Sequence, residues 1–202
     1  LDLAQRFRNT DNSIDHTRAV PAFEAASTAM AEARAAGITD PQQLRTVAEH
    51  AVAARVNADG TVNPPESKER RDARMSTIRS AYRAANALPT PTAGQTRAVV
   101  QGAVKATEHV FDKTGGNQQA AIEAGVKGGE ASLTVMQEAQ AQVKSGKKIE
   151  TTQVGTAIDE AATAVADNHI AGLTQTAMAD DTVHAAAARN AARAVFDGRH
   201  EA

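Results

Sequence analysis

Residues 22–39 have the sequence AFEAASTAMAEARAAGIT, and they show on a small scale how most of this chain is built. Alanine dominates the segment, and alanine has the highest helix propensity because its side chain loses almost no entropy in a helix. Gly37 follows the run, and glycine commonly stands just after the last turn of a helix. We therefore predict a helix over residues 17–36.

The rest of the composition agrees with this pattern. Alanine is close to a quarter of the 202 residues, whereas Leu, Ile, Val and Phe together are about 16%. So few large apolar residues are typical of disordered chains, but disorder also requires a high net charge, and the net charge here is only −2. We therefore expect ordered, slender helices that pack closely and bury little apolar surface each. A partner, or further copies of the chain, would complete such a core.

Further helical patterns follow along the chain, and no window alternates as a strand does. The second helix has the clearest start, because Asp40 can cap it and Pro41 suits its first position. The later predicted helices span residues 41–56, 66–88, 96–113, 118–143, 152–171 and 180–196. We therefore expect an all-α fold of six to seven antiparallel helices in hairpin units.

The segment PTPTAG at residues 89–94 is the clearest linker, since proline and glycine interrupt helices. It divides an N-terminal helical bundle, residues 1–88, from a C-terminal bundle, residues 95–202. The two bundles either stand apart or pack as a single domain.

An internal similarity also links the two halves of the chain. Residues 22–39 match residues 157–174 without a gap, and eight of the eighteen positions are identical. Both copies contain an alanine-glycine pair followed by an apolar residue and threonine. Two interpretations remain open: duplicated helical hairpins, or a likeness that arises from alanine-rich composition alone.

Several function classes are disfavoured by composition. The chain has no cysteine, which excludes disulfides, thiolate metal sites and cysteine nucleophiles. No apolar run approaches the roughly 20 residues of a membrane span. The balanced charge argues against a general nucleic-acid binder. The first residue is Leu1 rather than Met, so we expect a fragment, a processed product or the ordered part of a longer protein. The alanine and arginine content is typical of bacterial or phage proteins. The sequence predicts no cellular compartment.

Residues 55–66, RVNADGTVNPPE, resemble the calcium loop of EF-hand proteins. Such a loop has glycine at position 6 and oxygen ligands at positions 1, 3, 5, 7, 9 and 12. With Gly60 at position 6, the candidate ligands are Asn57, Asp59, Thr61, Asn63 and Glu66. Arg55 stands at the first position, where a carboxylate belongs. The other interpretation is a simple turn, because Asp-Gly favours turns and Pro-Pro-Glu begins a helix well.

A basic segment follows at residues 67–83, where only Glu69 and Asp72 oppose six cations. A basic helix with one apolar stripe can bind phosphate, an anionic membrane or an acidic partner, and the alternative is a solvated helix face. The chain has one tyrosine, so no aromatic set is available to stack on bases. The candidate basic patch consists of Lys68, Arg70, Arg71, Arg74, Arg79 and Arg83.

Gly125 and Gly129 lie four residues apart within a predicted helix. Small residues at this spacing let two helix backbones approach closely, as in GxxxG pairs. The alternative is a locally weak helix, since each interior glycine costs about 1 kcal/mol relative to alanine.

Catalytic patterns are missing from the sequence: it has no HExxH, no GxSxG, no phosphate loop and no dinucleotide fingerprint. Asp180 and His184 could share a helix face, but they supply two metal ligands at best. We therefore expect a non-catalytic structural or interaction module within a larger bacterial or phage protein, either an assembly component or a segment of a secreted effector. It would bind a protein partner or itself and require no cofactor. The alternative is a ligand-responsive helical domain that binds calcium at residues 55–66 or an anion on the basic helix.

Overall fold

The computed structural model of the chain describes residues 6–90, 92–174 and 181–198. Within those residues there are seven α-helices and no β-strand, so the predicted all-α class is confirmed. The same residues contain no helix that is both long enough and apolar enough to span a membrane. The helices are α1 (His16–Ala35), α2 (Pro41–Arg55), α3 (Lys68–Asn86), α4 (Ala93–Lys113), α5 (Gln118–Lys144), α6 (Thr151–Thr174) and α7 (Asp181–Phe196).

Side-chain caps fix the beginnings of several helices. The Asp40 carboxylate accepts a hydrogen bond from the Gln43 N–H at 2.8 Å, as the sequence predicts for α2. Thr92 and Gln95 form a reciprocal capping box at the start of α4. The Asn117 side chain accepts from the Ala120 N–H at the start of α5. These bonds satisfy backbone donors that the first turn of a helix leaves unpaired.

The predicted helix boundaries are close to the observed ones, with one informative difference. Gly37 follows α1 and has φ +84°, which is the left-handed conformation expected of a helix terminator. Its counterpart in the internal similarity, Gly172, lies inside α6, which continues to Thr174. The shared alanine-glycine motif therefore does not mark the same structural stop twice. The duplicated-hairpin interpretation stays a hypothesis.

Contacts between residues divide the chain into two compact units, Leu1–Met75 and Ser76–Ala202. The division falls within α3, between Met75 and Ser76. The domain boundary predicted at residues 89–94 lies farther along the chain. In both units, alanine contributes more than half of the buried apolar side chains that the structure describes.

In the first unit, α1 packs against α2 through small side chains. Ala22 and Ala26 of α1 share a buried cluster with Ala48 and Val52 of α2 and with Val56 just after it. The N-terminal part of α3 joins this unit through ion pairs. The loop between α2 and α3 therefore connects two elements that are both fixed in this unit, α2 by apolar packing and the start of α3 by ion pairs.

In the second unit, α4 lies parallel to α6 and antiparallel to α5. Gln101 donates to Asp159 at 2.9 Å, and His109 bonds Asp167 at 2.7 Å. The second contact is eight residues farther along each helix than the first, so the two helices run in the same direction. In α5 the order is reversed, since Gly125 faces Thr107 whereas Gly129 faces Val99. The last helix, α7, completes the unit through Val195 and Phe196, which are buried in the main apolar cluster.

Glycines set the distance between α4 and α5. A methyl group on Gly128 would lie 2.6 Å from the Cβ of Ala106 and closer still to the carbonyl oxygen of Gly102. A methyl group on Gly102 would lie 2.7 Å from the carbonyl oxygen of Gly128. Gly125 is confined in the same way by Thr77 and Thr107. Helix α5 is continuous through these glycines, so they serve close packing rather than a break in the helix.

Candidate functional site

The loop at residues 55–66 forms a closed turn. Val56 and Val62 make an isolated antiparallel bridge, and the Asn57 N–H donates to the Thr61 carbonyl at 2.9 Å. Gly60 has φ +89°, a conformation that glycine adopts readily. The Asp59 carboxylate accepts from the Thr61 N–H at 2.9 Å, which holds the pKa of Asp59 below its ordinary value. This is the geometry of an Asp-Gly turn.

The two asparagines of this loop bind each other. Asn57 donates to the Asn63 Oδ1 at 3.2 Å, and Asn63 donates to the Asn57 Oδ1 at 3.0 Å. The Asn63 amide also donates to the Ala54 carbonyl at 2.9 Å. Both side-chain oxygens that a calcium ion would use at these positions therefore accept hydrogen bonds from within the loop.

The last candidate ligand, Glu66, is held by arginine. Its carboxylate accepts from both terminal nitrogens of Arg74, at 2.7 and 2.5 Å, and the Nε of Arg70 lies 3.8 Å away. The Glu66 and Arg74 side chains are only 12% and 3% exposed. The structure thus brings Asn57, Asp59, Thr61 and Asn63 into one turn, but it directs Glu66 to Arg74. The part of the chain that the structure describes has no group of three or more His, Cys, Asp or Glu residues placed to hold a metal ion.

The candidate basic patch does not form one free surface. Lys68 pairs with Asp72 at 2.5 Å, and Arg71 binds both carboxylate oxygens of Glu32 at 2.8 and 2.9 Å. Arg70 and Arg74 both approach Glu66. Four of the six candidate cations therefore neutralise carboxylates of their own unit. Arg79 and Arg83 are exposed, and they belong to the second unit.

Two of the described histidines have well-defined surroundings. His50 is partly buried in the first unit, where desolvation and the charge of Arg74 lower its pKa to about 4. His109 pairs with Asp167 on the neighbouring helix, at 2.7 Å. The proposed Asp180 and His184 pair cannot be placed, because residue 180 lies outside the described residues.

The sequence analysis missed a groove in the second unit. It encloses about 520 Å³ where α4 begins, α5 ends and α6 begins. This volume lies within the range of about 300–1,000 Å³ that is usual for binding pockets. Its walls are mostly apolar, and the larger apolar side chains are Met136, Val143, Ile149, Val154 and Ile158. Ala98 and Ala139 are small and buried at its floor.

Among the residues that the structure describes, two cations line the groove and no aspartate or glutamate does. Arg97 comes from α4, and Lys144 is the last residue of α5. Both are exposed, and neither forms an ion pair within the described parts of the chain. Two neutral glutamines, Gln101 and Gln140, also line the groove, and Gln101 is already engaged, since it donates to Asp159 at 2.9 Å. The unneutralised charge of the groove is therefore positive.

Gly155 of α6 also lines the groove, and packing does not explain it. A methyl group at this position would meet no atom within 4 Å, in contrast to Gly102 and Gly128. A glycine inside a helix costs about 1 kcal/mol relative to alanine, and here no neighbouring atom requires it. Its effect is to leave the α6 backbone open toward the groove.

Sequence reasoning could not find this groove because its residues come from three helices. The one local signal was Gly155 inside an otherwise regular helical pattern, where a conspicuous glycine suggests close approach by another molecule. Comparison of the chain with protein-family models, with curated proteins and with solved structures found no match.

Proposed function

We propose that this chain is a non-catalytic helical interaction module that binds a helical segment of a protein partner in the groove between α4, α5 and α6. The observation that carries the proposal is Gly155. It lines an apolar groove, it lowers helix stability, and no contact with the residues that the structure describes requires it. Small residues in a groove allow the backbone of an incoming helix to approach closely.

The dimensions of the groove support a short helix as its occupant. Along α5 the lining runs from Met136 to Lys144, which is about 12 Å, or roughly two helical turns. Helix-in-groove binding uses apolar side chains at positions i, i+3, i+4 and i+7, which cover this length. The groove is also open to solvent along its side rather than enclosed.

The alternative function, binding of calcium or an anion in the first unit, has less support from the contacts. Glu66 and four of the basic residues pair with each other or with neighbouring carboxylates. A ligand would have to displace these partners. We therefore favour the groove as the working surface. We also propose a bacterial or phage origin, from composition, and a role within a larger assembly or effector protein.

A display selection tests the proposed function without knowledge of the partner. A library of helical peptides of about 14 residues, near four turns, is selected against the purified protein. We expect enrichment of sequences with one apolar stripe, and loss of their binding in the variant Gly155→Trp, which fills the groove. The matched control is Val126→Trp, which adds the same side chain at an exposed position of α5 outside the groove.

Circular dichroism and thermal melting establish that both variants are folded. Enriched peptides that bind wild type and Gly155→Trp equally well would contradict the proposal. So would a selection that enriches no apolar stripe.

A further inference from the structure

We propose that the helix received by this groove is acidic, with carboxylates on both flanks of its apolar stripe that pair with Arg97 and Lys144. This inference rests on the proposed function and adds the chemistry of the partner. It concerns a protein segment, so a small amphiphile or a second copy of the chain as occupant would count against it.

The first argument for an acidic partner is the charge of the residues that line the groove. The whole protein has a net charge of −2, yet the described residues that line the groove include two cations and no carboxylate. Elsewhere in the chain, cations with a carboxylate in reach are paired, as Arg193 is with Glu138 at 3.0 Å and Lys147 with Asp197 at 2.7 Å. Other exposed cations, such as Arg79 and Arg83, also form no ion pair within the described residues, so what distinguishes Arg97 and Lys144 is that they line an apolar groove.

The second argument is that the two cations lie on different helices. Arg97 lies in the second turn of α4, and Lys144 ends α5. They project from two different helices of the groove, so a bound molecule meets one cation from each. An alkyl chain with a single anionic head offers one charge at one end. An amphipathic helix offers charges along both edges of its apolar stripe and can satisfy the two cations together.

The third argument is the apolar lining beside these charges. Ala98 of α4, Ala139 of α5 and Ile158 of α6 are buried and line the groove. A partner therefore needs apolar side chains in its centre and carboxylates at its margins. Rim charges of this kind act mainly on association rate and specificity, which makes salt dependence an appropriate measurement.

The test uses two synthetic peptides that carry the apolar stripe enriched in the selection and differ only in their flanks. One has glutamate at the flanking positions and the other has lysine. Fluorescence anisotropy measures their affinity for the wild-type protein and for the double variant Arg97→Glu with Lys144→Glu. Both positions are exposed, so the variant should fold normally, which circular dichroism checks.

We expect the wild type to prefer the glutamate peptide by about tenfold at low ionic strength, since each rim pair contributes modestly. The preference should decline when salt is raised from about 0.05 M to about 0.5 M, where the screening length is shorter. The double variant should reverse the preference and favour the lysine peptide. A reversal cannot arise from partial unfolding, because both peptides carry the same apolar stripe.

Three results would overturn the inference. If both peptides bind equally well and Gly155→Trp abolishes both, the groove binds a helix without charge selection, and only the acidic partner is wrong. If neither peptide binds, the proposed function fails as well. If decanoate binds the groove and the peptides do not, or if light scattering detects a dimer that Gly155→Trp dissociates, the occupant is a small amphiphile or a second copy.

Discussion

The guanidinium group of Arg74 donates two hydrogen bonds to the carboxylate of Glu66, at 2.7 and 2.5 Å, and both side chains are almost fully buried. Glu66 ends the loop after α2, and Arg74 lies in the second turn of α3. The pair therefore connects the end of the loop to the helix that follows it. Removal of Glu66 would take away the carboxylate that compensates the buried charge of Arg74, which is costly.

We predict that Glu66→Ala destabilises the first unit by about 3 kcal/mol. Urea titration followed by circular dichroism measures the change, and hydrogen exchange of α1 and α2 amides assigns it to that unit. The control is Arg45→Ala, which removes a pair with Glu49 on the exposed face of α2. That change should have a much smaller effect, because both side chains of this pair are exposed to solvent. Equal effects of the two substitutions would show that the Glu66 pair is not structural.

We also predict that millimolar calcium leaves the melting temperature of the protein unchanged. A cation that bound the folded loop would raise it by mass action. No rise is expected because Arg74 occupies the Glu66 carboxylate and the Asn57 and Asn63 amides bind each other. Differential scanning calorimetry with and without calcium makes the comparison. An increase that disappears in Glu66→Gln would restore the EF-hand interpretation of residues 55–66.

Alanine substitution at two helical glycines should have opposite effects on stability. Gly128→Ala places a methyl group against Ala106 and the Gly102 backbone, and we expect a loss of about 2 kcal/mol from overpacking. Gly155→Ala meets no atom, and we expect a gain of up to about 1 kcal/mol from helix propensity. Both free energies of unfolding come from urea titration.

The Gly155 result also bears on binding. If the glycine is kept to admit a partner, Gly155→Ala should stabilise the protein and weaken binding of the selected peptides at the same time. Destabilisation by Gly155→Ala would indicate that the position is constrained by packing after all.

His50 should make stability depend on pH. Desolvation, followed by the charge of Arg74, lowers its pKa to about 4, whereas the unfolded value is about 6.5. Between pH 6.5 and pH 4 the His50 side chain is protonated in the unfolded chain but not in the folded protein. The free energy of unfolding therefore decreases as the pH falls from 6.5 toward 4. Between about pH 7 and about pH 5 the loss should be up to about 2 kcal/mol.

The variant His50→Gln should lose that part of the pH dependence, as measured by urea titration at the two pH values. The control is His16→Gln, at an exposed position of α1. A pH dependence that is the same in wild type and His50→Gln would mean that the folded ring takes up its proton normally.

The sequence predicts the helices well because their signals are local. Asp40 and Pro41 specify the start of α2, and Gly37 specifies the end of α1, through bonds and backbone angles within a few residues. The role of Glu66 could not be predicted in this way. Its spacing from Gly60 is that of a calcium ligand, but the fold brings Arg74 to it from a helix that begins afterwards.

The groove was beyond prediction for a further reason. Arg97, Lys144 and Gly155 each have ordinary neighbours in the sequence, and only the packing of three helices brings them to one surface. Gly125 and Gly129 show the intermediate case. Their spacing indicates a close helix contact, but the contacting helix, α4, is known only from the fold.

The contact between Gly102 and Gly128 has a consequence for how this protein tolerates variation. Glycine is the smallest residue, so every substitution at either position adds atoms to a contact that has no space for them. No conservative substitution is available at either position. A smaller residue cannot relieve the crowding either, because glycine has no side chain to lose. In a saturation library we expect these two positions to accept almost nothing, while the alanines around them accept serine and the exposed positions of α4 accept most residues.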